Sequence, residues 1–392
     1  MRATQKSLSL GIVGAAAMLA SLTPAQAASD WCKQIADGIY CAEPEIPPPS
    51  FCGTKPVSLA LADGFAANPW RQMTAASAIN EASRCPNVTS WTHTDGQGNT
   101  QKSISDVEGL AAKGVNAIIV FPDAGPAMLP AIRDAHKQGA AVIPFRAEVG
   151  GKEGTDYNAF VGTDFYIQGK TWGDWLVGAL KDGGNVAYLG GPPGTSESTD
   201  KSRGLHDAFK ANPNIKWIGQ EPFEVTNWDP SLISKALTAL IARYPKVDAV
   251  VGDLSIPILT SNAFPRAGKE LPVIAGEDAN GFGCEWQKEH ADGKQSNYQF
   301  TSTSAEQWNS RLAVRWALAE AAGGKVDEPL IIVDSKGGKH QVAGPGDKIV
   351  KTFVMDDSLK GVVFCDPSLP ESAGNGTGLT NAQLLSALKG GL

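Results

Sequence analysis

From Val57 onward the chain alternates short unbroken apolar runs with longer stretches whose apolar residues recur every three or four positions. Residues 57–61 read as a strand, and Trp70, Met73, Ala76 and Ile79 mark the buried stripe of a helix behind it. A helix carrying Ile104, Val107 and Ala111 follows, then a strand at 117–121, a helix with Met128, Ile132 and Ala135, and a strand at 141–145. The series then starts again. A helix with Trp172, Trp175, Leu176 and Ala179 leads to a strand at 185–189, and a helix around Leu205 and Phe209 leads to a strand at 216–219. After these come a helix with Ile233, Leu237, Leu240 and Tyr244 and two strands at 249–251 and 272–275. Apolar runs bounded by turns and separated by helices belong to parallel sheets covered on both faces, so the fold class is α/β. Two successive series of near-domain length predict two similar lobes. One large open sheet is the competing arrangement, disfavoured because single cores rarely grow to this size.

Two further segments carry a pattern of their own. Ser304 and Gln307 have the spacing of a capping box, and Trp308, Leu312, Trp316 and Ala319 line one face of the helix it would start. From Ser372 the chain turns rich in Gly, Ser and Asn, which predicts a loosely held tail.

The N-terminal end alters the picture of where the protein works. Arg2 and Lys6 precede an apolar run at 8–22, followed by Pro24 and Ala25-Gln26-Ala27. That is the layout of a secretory signal peptide cleaved after Ala27. The run is broken by Ser, Gly and Thr and is short for a membrane anchor. A Pro-rich leader at 42–50 comes before the first strand. The six cysteines, Cys32, Cys41, Cys52, Cys85, Cys284 and Cys365, are even in number, and export favours their pairing as disulfides. A metal site would want close cysteine pairs or clustered histidines; the nearest cysteines are nine apart and the five histidines are scattered. Neither a metal nor a cofactor is expected. A net charge of -7, with no basic cluster, argues against a nucleic-acid partner.

Ligands of open parallel sheets bind beyond the carboxyl ends of the strands, so the residues after each run are the candidates. They are Asp63, Asn68 and Trp70 after the first strand, Arg146 after the strand at 141–145, and then Asn227, Trp228 and Asp229. Asp253, the pair Glu277 and Asp278, and Thr301 complete the set. Carboxylates, amides and a guanidinium grip vicinal hydroxyls, which both donate and accept. An indole covers the C–H face of a ring. The mixture suits a polyol. Taken singly, each residue has a plainer role: Trp70 as core, Asp63 or Asp253 as a helix cap, Arg146 in a surface ion pair. Catalytic signatures are missing, since there is no G-x-S-x-G, H-E-x-x-H or P-loop, and the segment 190–195 lacks a phosphate-binding lysine. A glycosidase would need two working carboxylates, such as Asp63 and Asp278, and no enzymatic activity is expected.

Across roughly residues 55 to 335 the chain resembles the type I periplasmic binding proteins of bacterial transporters, in particular the ribose-binding-protein-like group. The resemblance rests on residues 62–70, Ala-Asp-Gly-Phe-Ala-Ala-Asn-Pro-Trp, on Val161-Gly162-Thr163-Asp164 with Gly169, on Lys201-Ser202-Arg203-Gly204, and on Val273-Ile274-Ala275-Gly276-Glu277-Asp278. It implies two Rossmann-like lobes with parallel sheets, joined by three hinge strands and closing on a sugar. It divides the chain into a signal peptide at 1–27, a Cys/Pro-rich leader at 28–54, a first lobe at 55–163 plus 302–331, and a second lobe at 164–301 plus 332–392. By position it makes Asn68 and Trp70 first-lobe contacts, with Trp70 stacking on the ring. Arg203 becomes a second-lobe donor, Trp228 the second aromatic and Asp278 an acceptor, with Asp253 and Thr301 close to further contacts. Two positions depart from the pattern. Phe145-Arg146 stands where the group often has Asp-Arg, and Arg71 replaces the second aromatic of the first motif.

The same resemblance pairs the cysteines within lobes: Cys32 with Cys41, Cys52 with Cys85, and Cys284 with Cys365. It further implies a monomer in the periplasm that captures a sugar or sugar alcohol and delivers it to the permease of an ABC transporter. A periplasmic sensor presenting a sugar-like signal to a membrane receptor is the alternative.

Overall fold

The computed structural model of the chain describes residues 30–43, 45–66, 68–253, 257–293, 296–333, 339–350, 354–355, 365–390 and 392. The expected signal peptide at 1–27 lies outside the described residues. Two parallel sheets organise the rest. In the first lobe β1 (Val57–Asp63), β2 (Val88–Asp95), β3 (Ala117–Phe121) and β4 (Ala141–Pro144) stand in the order β2-β1-β3-β4, all parallel. Helices α1 (Pro69–Ala82), α2 (Thr100–Ala112) and α3 (Leu129–Lys137) connect them.

The period of two along a strand decides which helix each residue meets. Leu59, Leu61, Ile119 and Ile143 point to one face, into a core with Ile79 of α1. Ala60, Ala62, Ile118 and Val142 point to the other, against Val107 of α2 and Ile132 of α3. Strand β2 carries no apolar run, and the structure supplies the reason. It is an edge strand in which Val88 is fully buried while most other positions are half-buried or exposed.

The second lobe repeats the plan. After β5 (Gly162–Thr163) come α4 (Phe165–Ala179), β6 (Gly184–Gly190), α5 (Ser196–Phe209), β7 (Ile215–Trp217), β8 (Glu224–Val225), α6 (Pro230–Arg243), β9 (Ala249–Gly252), α7 (Pro257–Arg266), β10 (Val273–Glu277), α8 (Asn280–Glu289) and β11 (Phe300–Thr303). The chain returns through α9 (Asn309–Ala322), the hairpin β12 (Leu330–Val333) and β13 (Lys339–Ala343), and β14 (Ile349–Val350), before β15 (Val354–Met355) and α10 (Asn381–Leu388). The second sheet runs β15-β11-β10-β9-β6-β7 with β8 beside β6, and only β15 is antiparallel to its neighbour. The chain crosses between the lobes at β5, which pairs with β14, and again between β11 and α9.

Three expectations change here. The helix expected from Ser304 starts at Asn309, because Glu306 stands at φ +62°, a left-handed conformation that a right-handed helix does not contain. Ser304 instead accepts the Glu306 N–H and the Trp308 indole N–H. The segment after Ser372 is not loose. Ala373 and Leu384 are buried with Met73, and α10 opens on a complete Thr380/Gln383 capping box. Nor does all of 332–392 belong to the second lobe. Ile332, Ala343, Val350 and Ala387 join the first-lobe core, since their apolar faces complete the layer that α1 and α9 begin.

Disulfides join Cys32 to Cys41, Cys52 to Cys85 and Cys284 to Cys365, with Cα separations of 5.8, 5.2 and 4.7 Å. The leader lies on the first lobe, with Trp31 stacked on Trp91 at 6.3 Å.

Candidate ligand-binding cleft

The first wall of the cleft follows from a helix cap. Asn68 Oδ1 accepts the Arg71 N–H at 2.9 Å and Pro69 takes the first helical position, so α1 starts with Trp70 and Arg71 in its first turn. Trp70 is held by its indole N–H, which donates to the Ala305 carbonyl at 2.9 Å, and by an edge contact with Phe121 at 5.6 Å. Arg71 is buried, donating to Asp63 at 2.8 Å and to Asp123 at 2.5 Å over the face of Phe121.

Arg146 joins the two lobes. It follows β4 at φ +65° and is buried. Its guanidinium donates to Glu277 at 2.6 Å, to Glu197 at 3.2 Å, to the Ala305 carbonyl at 2.9 Å and to Glu306 at 3.4 Å. Glu197 lies on α5 and Glu277 ends β10, so this first-lobe arginine is anchored on the second lobe.

The second wall is built around Asp253. Tyr188 donates to it at 2.5 Å, Ser198 donates to its other oxygen, and the ammonium of fully buried Lys201 reaches both Asp253, at 3.2 Å, and Glu277, at 2.6 Å. Trp228 leans in beside them, its indole N–H 3.4 Å from Asp253. Asn227 and Trp228 both stand at positive φ, +51° and +55°, and Asp229 then caps α6. The Trp228 ring rests on Gly191, where any Cβ would come within 2.3 Å of it. Four of the seven non-glycine residues with positive φ among the described residues, Arg146, Asn227, Trp228 and Glu306, therefore stand around the cleft. Such strain collects where the surroundings hold a functional geometry in place.

Trp70, Asn68, Trp228, Asp253 and Glu277 border two adjoining cavities between the lobes. Arg146 lines the inner one and Asp278 the outer one. Six of the eight expected contact residues thus come together. Arg203 and Thr301 do not. Arg203 is exposed on α5 and paired with Asp200 at 2.8 Å. Two positions on a helix are about 200° apart, so when Lys201 faces the cleft Arg203 faces water. Thr301 is buried within β11 opposite Ala275 and lines neither cavity.

Lys201, Glu197 and Glu306 went unrecognised as cleft residues. Glu197 and Lys201, four apart on α5, share one helix face, and that spacing was the available signal. The balance of the cleft is acidic. Arg71, Arg146 and Lys201 face Asp63, Asp123, Glu197, Asp253, Glu277, Asp278 and Glu306.

Burial shifts several of these acids. Asp278 is pushed up to about 7 by burial, against the pull of the Ala305 and Asn375 N–H groups. Glu306 is pushed up to about 8 by burial, with Arg146 pulling the other way. A carboxyl whose folded pKa lies above its unfolded value holds its proton more tightly in the native state, so its contribution to stability fades as pH rises between the two values. Wild type is therefore expected to lose stability relative to Asp278→Asn as pH rises from about 4 to 7. Urea unfolding of both proteins across that range checks this, and a constant difference would refute it.

Residues 62–325 match the periplasmic binding protein domain. The chain belongs to the type I periplasmic binding proteins, of the ribose-binding-protein type. The galactofuranose-binding protein of Escherichia coli (strain K12) is 31% identical over 133 residues, 34% of this chain and 42% of that protein. The xylitol-binding protein of Mycolicibacterium smegmatis is 26% identical over 235 residues, 59% of this chain and 62% of that one. The chain thus matches less than two thirds of the length of either relative. The crystal structure of the Caulobacter myo-inositol binding protein bound to myo-inositol superposes with a TM-score of 0.61 at 20% identity, covering 78% of this chain and 95% of that one. This type I binding protein has no helix, among its described residues, long and apolar enough to cross a membrane.

Proposed function

We propose that this periplasmic binding protein captures a sugar or sugar alcohol between its lobes and delivers it to the permease of an ABC transporter, as an exported monomer. One observation carries the reading. Two indoles from opposite lobes, Trp70 and Trp228, border the same cavities as a buried arginine and several carboxylates. Indoles suit the C–H faces of a ring and the charged groups suit its hydroxyls. Relatives named for galactofuranose and xylitol support this ligand class. Ligand would raise the population of the closed form, which the permease recognises.

Binding rather than catalysis fits the carboxylates. Asp63 is committed to Arg71 and to the Phe65 N–H, and Asp278 to the Ala305 and Asn375 N–H groups. Calorimetry against pentoses, hexoses, xylitol and myo-inositol tests the proposal. Trp70→Ala and Trp228→Ala are each expected to weaken binding at least about tenfold, or about 1.4 kcal/mol. Failure of the whole panel to bind would end the reading.

A further inference from the structure

The segment that follows Cys365 passes from one lobe to the other over the mouth of the cleft. Its start is held by the second lobe. Beyond the Cys284–Cys365 disulfide, the Asn280 amide donates to the Asp366 and Leu369 carbonyls at 2.9 and 3.0 Å and accepts the Asp366 N–H at 2.8 Å. The backbone of α8 continues the contact. Asn280 and Gly281 donate to the carbonyls of Ala373 and Glu371 at 2.8 and 3.0 Å.

Over the gap, the Asn375 N–H donates to Asp278 at 3.1 Å. The far end is held by the first lobe. Arg311 of α9 donates to the Thr377 and Gly378 carbonyls, each at 3.0 Å, and α10 then buries Leu384 with Met73 of α1. Within the second-lobe anchorage Glu371 and Ser372 line the larger of the two cavities, which Trp70 and Trp228 also border.

We infer that residues 366–380 form a strap, a further lobe-to-lobe connection beside the hinge strands, that walls one side of the binding cleft and limits how far it opens. Its two anchorages lie on bodies that must separate for a ligand to enter, and the bonds at each end are made mostly by its backbone. Opening therefore stretches or releases the strap. Because Ser372 borders the cavity, the strap also bounds the size of ligand admitted at that end. The wall rests on the sugar-capture reading, whereas the tether does not.

Ser372 is exposed, so Ser372→Trp tests the wall without disturbing a core. Whichever of ribose, xylitol and myo-inositol binds to wild type is expected to bind this variant at least tenfold more weakly at unchanged Tm. Unchanged affinity would overturn the wall. The full-length double variant Asn280→Ala, Arg311→Ala, which removes side-chain bonds at both ends of the strap, tests the tether by small-angle scattering without ligand. A larger radius of gyration than wild type is expected, and equal radii would overturn it. Should no polyol bind wild type, sugar capture and the wall fail together while the scattering comparison still decides the tether.

Discussion

Replacing Lys201 with methionine is expected to cost about 3–5 kcal/mol of folding stability, the scale for breaking a buried ion pair from one side. The ammonium is fully buried, 2.6 Å from Glu277 and 3.2 Å from Asp253, and methionine of similar length leaves both carboxylates without it. Arg146 and the hydroxyls of Tyr188 and Ser198 remain, but they cannot supply the missing charge at that point. The pair Lys201→Met, Glu277→Gln should recover part of the loss, because it removes one of the two carboxylates left without the ammonium. Burial alone would lower the lysine pKa, yet Asp253 and Glu277 outweigh it and hold it above 10.5. Its folded pKa being raised, the contribution is whole below 10.5 and fades only as pH climbs through the folded value. The loss should thus be the same at pH 6 and pH 8 in urea unfolding; a cost under about 1 kcal/mol would contradict this account.

Arg146→Lys is expected to weaken polyol binding at least about thirtyfold, or about 2 kcal/mol, even though the charge is kept. The arginine fork reaches Glu197, Glu277, Glu306 and the Ala305 carbonyl together, with its guanidinium 4.7 Å from the Trp70 ring centroid. A lysine offers one compact charge and cannot span a loop of the first lobe and two elements of the second. The closed arrangement therefore loses more than the open one. Calorimetry with a polyol that binds wild type measures the effect, and equal affinities would remove Arg146 from any part in closure.

The repeated architecture was legible because buried parallel strands must be apolar on both faces. The run at 117–121 shows this, with all five residues buried. Strand β2 was not legible, since an edge strand half in water needs no such run. The cleft was legible wherever a residue follows a strand directly, as Arg146, Asp253 and Asp278 do. It was not legible on α5, where two positions along a helix decide between Lys201 and Arg203 and their charge is the same. Nor could composition reveal the C-terminal strap. Its Gly and Ser residues resemble a free tail, while its anchorage comes from backbone groups and from Asn280 and Arg311, far away in sequence.

The acidic surplus lining the gap bears on the cargo. On the sugar-capture reading, an acceptable guest is expected to be uncharged or positive, because a phosphate or uronate would be set beside Glu197, Asp253 and Glu277, which line the cavities. Unmodified carbohydrates are then expected to pass such a filter, and their phosphorylated or oxidised derivatives to be turned away before any hydroxyl is read.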